Sequence, residues 1–115
     1  MNLKLSDPAM LGVLTGPLVV VLSATTAITH YGSSGTQSTP TVTANVSGGV
    51  APYTYSWVQD GSGNAFTPSN ASGASTYWSI AATFPNGYSA SWKCTVTDSA
   101  GNSQTTGDVS VVVAP

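Results

Sequence analysis

Five runs of this chain alternate apolar residues with Ser, Thr or Asn, and that two-residue period constrains the fold more than any other feature. Val42, Ala44 and Val46 alternate with Thr41, Thr43 and Asn45, and Tyr53, Tyr55 and Trp57 with Thr54 and Ser56. Trp78, Ile80 and Ala82 repeat the pattern. Tyr88, Ala90, Trp92, Cys94 and Val96 oppose Ser89, Ser91, Lys93, Thr95 and Thr97, and Val109, Val111 and Val113 alternate with Asp108, Ser110 and Val112. Successive side chains of a strand point to opposite faces, so each run has one face for a core and one for water. Between the runs lie Gly32-Ser-Ser-Gly35, Gly48-Gly49, Asp60-Gly61, Asn86-Gly87 and Asp98-Ser-Ala-Gly-Asn102. Gly, Asn and Asp supply the positive φ and local hydrogen bonds of tight turns. No run has helical period, so the chain reads as all-β. Asn86-Gly87 suits a tight hairpin, whereas a two-sheet fold asks that connection to cross between sheets.

What faces the water is unusual. The 115 residues are 41% apolar but only 5% charged, against about 25% in ordinary domains. The charges are Lys4, Lys93, Asp7, Asp60, Asp98 and Asp108. Two lysines and a net charge of −2 leave no basic patch for a phosphate backbone, so no nucleic-acid partner is expected. A disordered polyelectrolyte and a coiled coil are excluded by the same composition. Cys94 is the sole cysteine and cannot form an internal disulfide, and His30 is the sole histidine, which excludes a multi-histidine metal site.

From Pro8 to Thr29 the chain is uncharged, and the run Ala9–Leu22 within it is strongly apolar. A signal peptide would have a basic start and a small-residue cleavage site. Lys4 and Ser23-Ala24-Thr25-Thr26-Ala27 fit that only loosely, and Met1 suggests an unprocessed chain. A membrane helix needs about 20 apolar residues. Gly12, Gly16 and Pro17 interrupt the run, so a membrane span is not expected, despite the Gly12-x-x-x-Gly16 spacing. Dividing the stretch at Gly16-Pro17 gives a third reading. Val19, Val20, Val21, Thr25, Thr26, Ile28 and Thr29 are β-branched and favour a strand. Residues 1–17 then form an apolar arm whose Leu3, Leu5, Met10, Leu11, Val13 and Leu14 are expected to anchor on a neighbouring subunit.

The segment Thr41-Val-Thr-Ala-Asn-Val-Ser-Gly-Gly-Val-Ala-Pro-Tyr-Thr-Tyr-Ser-Trp57 resembles the second and third strands of bacterial immunoglobulin-like and PKD-like domains. Trp92-Lys-Cys-Thr-Val-Thr-Asp-Ser-Ala-Gly-Asn102 resembles their sixth strand and following turn. With the strand count, the resemblance implies an immunoglobulin-like, two-sheet antiparallel β-sandwich of about seven strands over residues 18–115, preceded by the arm. It also implies a core in which Trp57 matches the strand-C tryptophan and Cys94 the strand-F cysteine. Ala44 stands where the other cysteine would be, and Trp92 where the corner tyrosine would be, so the disulfide is absent. Trp78 completes the expected core. Asp60-Gly61-Ser-Gly63 partly matches an acidic turn of PKD-like domains.

Weighed as chemistry, these residues favour structure. A nucleophile needs a base oriented by a third group, and His30 is the only imidazole, with no Gly-x-Ser-x-Gly turn. His30 is expected at the surface end of the first strand. Cys94 shares parity with Trp92 and Val96, which makes it a core residue rather than half of a dyad with His30. Paired carboxylates for glycoside hydrolysis stand about 5–9 Å apart, whereas Asp60, Asp98 and Asp108 fall in or beside turns. Asp60/Asn64 and Asp98/Asn102 are the only calcium candidates, and one carboxylate per loop is thin for a hard cation. Tyr31, Phe66, Tyr77 and Phe84 are the aromatics left for a sugar platform; the others lie on core parities. Asn45-Val-Ser47 and Asn70-Ala-Ser72 match a glycosylation acceptor, a match expected by chance at this Ser/Thr density.

The expected function is therefore non-enzymatic, with no catalytic, cofactor-binding or metal-binding residue and no cofactor. Immunoglobulin-like modules occur in structural proteins of tailed bacteriophages. The resemblance thus implies a virion protein, decorating the head or joined to the tail, whose partners are other assembly subunits and copies of itself. The alternative is a bacterial cell-surface or secreted adhesion module with residues 1–27 as signal or anchor and a weak glycan contact.

Overall fold

Alternation places the apolar parity of each run against the interior, and the order of the ladders decides what interior that is. The computed structural model describes residues 16–115, and every regular element in that span is a strand. In chain order these are β1 (Val19–Leu22), β2 (Thr26–His30), β3 (Gly35–Ser38), β4 (Val42–Ser47), β5 (Thr54–Gln59) and β6 (Thr67–Pro68). Then follow β7 (Ser75–Thr76), β8 (Trp78–Ala82), β9 (Tyr88–Thr97), β10 (Ser103–Thr105) and β11 (Val109–Ala114). They form a three-stranded sheet β1-β4-β7, a three-stranded sheet β3-β8-β6, and a five-stranded sheet containing β10, β9, β11 and β2, with β5 also on β9. All pairings are antiparallel except β11 with β2.

The immunoglobulin-like two-sheet sandwich of about seven strands is thereby corrected. Eleven strands form three separate, unclosed sheets. Three local interruptions account for the difference. Ser23-Ala24-Thr25 ends the first apolar run, and its two halves, β1 and β2, join different sheets. There the Ser23 N–H donates to the Thr43 carbonyl at 2.8 Å, and the Ser23 Oγ accepts from the Thr43 N–H at 2.8 Å. Pro40, which has no N–H to give a ladder, separates β3 from β4. Beside it the Thr39 Oγ1 accepts from the Trp78 N–H at 3.0 Å, a hydroxyl in a role that a backbone carbonyl fills in a regular ladder. Tyr77 likewise separates β7 from β8.

The long strand β9 organises the five-stranded sheet. One edge pairs with β5 from Thr54↔Thr97 to Gln59↔Trp92. The opposite edge is divided between β11, at Tyr88 to Trp92, and β10, at Thr95 to Thr97. The connection through Asn86-Gly87 leads from β8 in one sheet to β9 in another, so it crosses between sheets.

Ala44, Trp57, Trp78, Trp92 and Cys94 are all buried, together with Val42, Val96, Val109, Val111 and Val113. Trp57 meets Trp78 edge to face at 5.6 Å and 83°, and Trp78 meets Trp92 at 5.9 Å and 49°. Such rings contribute about 150–250 Å² of burial each, enough to hold three small sheets around one centre without a disulfide. Only one of these indoles has an oxygen partner: Trp57 Nε1 donates to the Gly73 carbonyl at 2.9 Å. The buried N–H groups of Trp78 and Trp92 have no hydrogen-bond acceptor. Cys94 is a free thiol whose pKa burial pushes up, partly opposed by a hydrogen bond with the Ser56 backbone.

Candidate interaction surface

The registers sort the connecting segments into two ends. Val19↔Ser47 and Thr54↔Thr97 bring Gly16–Leu18, the Gly48–Pro52 loop and the Asp98–Asn102 turn together. Gly35↔Ala82 and Val113↔Tyr88 bring the residues around Tyr31–Ser34, Thr83–Gly87 and Ala114 to the other end. The first is the arm end, because residues 1–15 precede it in sequence. The anchoring residues Leu3, Leu5, Met10, Leu11, Val13 and Leu14 lie outside the described residues.

At the arm end a single carboxylate fixes two loops. Asp98 Oδ1 accepts from the Ala100 N–H at 3.0 Å and the Asn102 N–H at 2.8 Å. Its Oδ2 accepts from the Val50 N–H at 3.1 Å and from Asn102 Nδ2 at 3.2 Å. Burial raises the Asp98 pKa. The hydrogen bonds from the Asn102 side chain and from the N–H groups of Asn102, Val50 and Ala100 outweigh it, and the net shift is downward. Gly49 has φ +61°, and a Cβ there would lie 2.8 Å from Asp98 Oδ2 and 3.0 Å from Leu18 Cδ1. Only glycine suits that conformation at that separation. Ser99 Oγ donates towards the Val50 and Ala51 carbonyls at 3.0 and 3.1 Å, and Tyr53 Oη donates to the Gly48 carbonyl at 2.6 Å. The Gly49 N–H donates to the Gly16 carbonyl at 3.1 Å, fixing the base of the arm to this scaffold.

Two cavities open beside that base. One, of about 280 Å³, is lined by Gly16, Leu18, Gly49, Val50, Asp98 and Asn102 among others. The second, of about 350 Å³, is lined by Pro17, Leu18, Val19, Val20, Gln104 and Thr105. Val19, Val21 and Val50 are exposed nearby, Val21 at 61%. Ile28, Val58, Tyr77 and Phe84 are exposed elsewhere, but here apolar side chains meet solvent next to concave walls.

The far end is fixed by phenols and a hydroxyl. Tyr31 Oη lies 3.0 Å from the Thr83 carbonyl and 2.6 Å from the Asn86 carbonyl, its hydroxyl directed at both. Ser34 Oγ accepts from the Phe84 N–H at 2.9 Å, and Tyr88 Oη from the Thr83 N–H at 2.9 Å. Phe84 stands exposed, edge-on to Tyr31 at 5.8 Å. Of the four aromatics available for a sugar platform, Tyr31 and Phe66 are buried while Tyr77 and Phe84 are exposed. Phe84 belongs to the far-end loop, whereas Tyr77 lies between β7 and β8, so these four do not make one platform.

Three of the four charges among the described residues converge elsewhere. Val58↔Lys93 and Val109↔Trp92 place Asp60, Lys93 and Asp108 side by side, with Lys93 Nζ 3.5 Å from Asp60 Oδ1. A hydrogen bond with Asp108, helped by the Lys93 charge, lowers the Asp60 pKa, and the same hydrogen bond raises that of Asp108. Among the described residues no three of His, Cys, Asp and Glu group as metal ligands. In the two loops weighed for calcium, Asp98 is occupied as above, and Asn64 Oδ1 accepts from the Ser89 N–H at 2.8 Å. His30 ends β2, exposed.

Sequence reasoning placed Asp98 only in a turn and missed that it is buried and ties a second loop. The signal was present, because Asp98 continues the inward parity of Trp92, Cys94 and Val96. Compared with known proteins, the chain is matched by no family model and by no curated protein. What the structure establishes is an all-β domain with several antiparallel sheets.

Proposed function

We propose that this protein is a non-enzymatic structural component of an assembly, joined to it through the N-terminal arm, as a head-decoration or tail protein of a tailed bacteriophage. The observation that carries this reading is the arm end itself. There the base of an apolar arm is fixed by Gly49, two cavities adjoin it, and Val19, Val21 and Val50 stand exposed. The virion setting is drawn only from the resemblance of residues 41–57 and 92–102 to segments of bacterial immunoglobulin-like and PKD-like domains, modules that phage structural proteins also carry; the three-sheet fold itself lends it nothing. The nearly uncharged surface agrees with it, since like copies can crowd without repulsion. Its partners are then neighbouring subunits and copies of itself.

The secreted alternative, with processing near Ala27, meets a structural objection. Removing residues 1–27 would delete all of β1 and the buried Leu18, and would cut into β2 where Ala27 pairs with Val111. The test is mass spectrometry of purified particles from the source, with wild type and the double variant Leu11→Asp, Val13→Asp. The reading expects an intact amino terminus in the particle and loss of the variant from it. A chain processed near Ala27, or a variant incorporated at wild-type occupancy, would refute it.

A further inference from the structure

We propose that Asn86-Gly87 is a self-modifying site, where the Asn86 amide converts with water alone to aspartate and isoaspartate, so that the far end of the molecule gains negative charge with time. The reaction needs a backbone N–H that follows the amide directly and is not otherwise engaged. Asn86 is the only asparagine of the sequence followed by glycine; Asn45, Asn64, Asn70 and Asn102 precede Val, Ala, Ala and Ser. Asn86 and Gly87 are both exposed, and Gly87 belongs to no strand. Its N–H donates to no oxygen among the described residues. Apart from its chain neighbours, no heavy atom lies within 4 Å of where a Cβ of residue 87 would stand. A residue without a side chain, in open surroundings, keeps the backbone freedom that the attack requires.

In the first step the Gly87 nitrogen attacks Asn86 Cγ. The new N–Cγ bond closes a succinimide ring, the Cγ–Nδ2 bond breaks, and ammonia leaves with the proton from the Gly87 N–H. Water then opens the ring at one of its two carbonyls. Opening at Cγ leaves aspartate at 86, with its charge beside the Tyr88 hydroxyl that the Asn86 side chain now meets. Opening at the backbone carbonyl leaves isoaspartate, and the oxygen that lies 2.6 Å from Tyr31 Oη then belongs to a carboxylate. Either product adds one negative charge to a chain whose net charge is −2. The other asparagines lack the glycine, and three are held by their side chains. Asn64 Oδ1 accepts from the Ser89 N–H at 2.8 Å, Asn70 Oδ1 from the Ser72 N–H at 3.2 Å, and Asn102 Nδ2 donates to Asp98 at 3.2 Å. Asp60-Gly61 has the same spacing, but a carboxylate held 3.5 Å from Lys93 Nζ is a poorer electrophile than a neutral amide.

The test keeps the full-length chain in neutral buffer over several weeks. Mass spectrometry with electron-transfer fragmentation then reads amide-to-acid conversion residue by residue and separates isoaspartate from aspartate. Conversion at Asn86 should run about tenfold faster than at Asn64, Asn70 or Asn102, as an accessible near-attack geometry requires. Both products should appear, with a matching acidic shift in ion-exchange chromatography. Gly87→Ala should slow the conversion about tenfold and leave the melting temperature unchanged, because Gly87 lies outside the left-handed region and its Cβ would meet nothing. If that variant fails to fold, the ranking of asparagines in the wild-type chain decides. Asn86 converting no faster than the other asparagines would overturn the proposal. So would an Asn86 that stays intact in the folded chain yet converts in the same chain under denaturant, or a folded Gly87→Ala that reacts at the wild-type rate.

Discussion

The two ends of the molecule solve the same problem with different chemistry. Both must hold loops that pass between separate sheets, where no ladder can do so. The arm end uses one buried carboxylate that accepts four hydrogen bonds and brings the Gly48–Pro52 loop to the Asp98–Asn102 turn. The far end uses neutral hydroxyls of Tyr31, Ser34 and Tyr88 on the Thr83–Gly87 segment. Charge-assisted bonds are about twice as strong as neutral ones. The arm end is thus the more firmly fixed and the more pH-sensitive.

Breaking the carboxylate should have the largest effect. Asp98→Ala leaves the N–H groups of Val50, Ala100 and Asn102 without that partner, and the melting temperature should fall by about 10 °C or more. Asp98→Asn should separate geometry from charge. Because the folded-state pKa of Asp98 is lowered from 3.8, its contribution is present above that value and fades as pH falls through the folded value. Thermal melts of wild type should therefore weaken on acidification below about pH 4, and Asp98→Asn should flatten part of that slope. Asp60, also lowered, acts in the same direction. Asp108, raised, contributes below 3.8 and loses its contribution as pH rises through its folded value.

Next in size is Gly49→Ala, which forces a side chain into φ +61° against Asp98 and Leu18. A loss of about 1–3 kcal/mol is expected in denaturant titrations. At the far end Tyr31→Phe removes the hydroxyl directed at the Thr83 and Asn86 carbonyls, and the melting temperature should drop by about 4–8 °C with no change in acid sensitivity. A drop equal to that of Asp98→Ala would erase the contrast between the ends. Phe84→Ala should be the mildest, within about 2 °C, since the residue is 44% exposed and loses only its edge contact with Tyr31.

The facing of side chains was legible in the sequence because parity is a local property. Val42 and Ala44, Trp57, Trp78, Trp92, Cys94 and Val96, and Val109, Val111 and Val113 all point inward as their runs predict. Sheet membership was not legible, since it depends on where ladders stop. Pro40 is a visible stop, but Ser23-Ala24-Thr25 and Tyr77 sit inside residue patterns compatible with continuous strands. The two-residue strands β6 and β7 leave no period to detect. The meeting of Lys93, Asp60 and Asp108 follows from the β5–β9 and β9–β11 registers, which no spacing along the chain encodes. The two cavities were equally hidden, because they form between segments far apart in the sequence.

Hydrogen exchange followed from about pH 6 to well below 3.8, corrected for intrinsic rates, tests the contrast between the two ends most directly. The amides of Val50, Ala100 and Asn102, which the Asp98 carboxylate holds, should lose protection as the carboxylate is protonated. The amides of Thr83 and Phe84, held by neutral hydroxyls, should stay unchanged. Equal loss at both ends, or none at Asp98, would contradict the account.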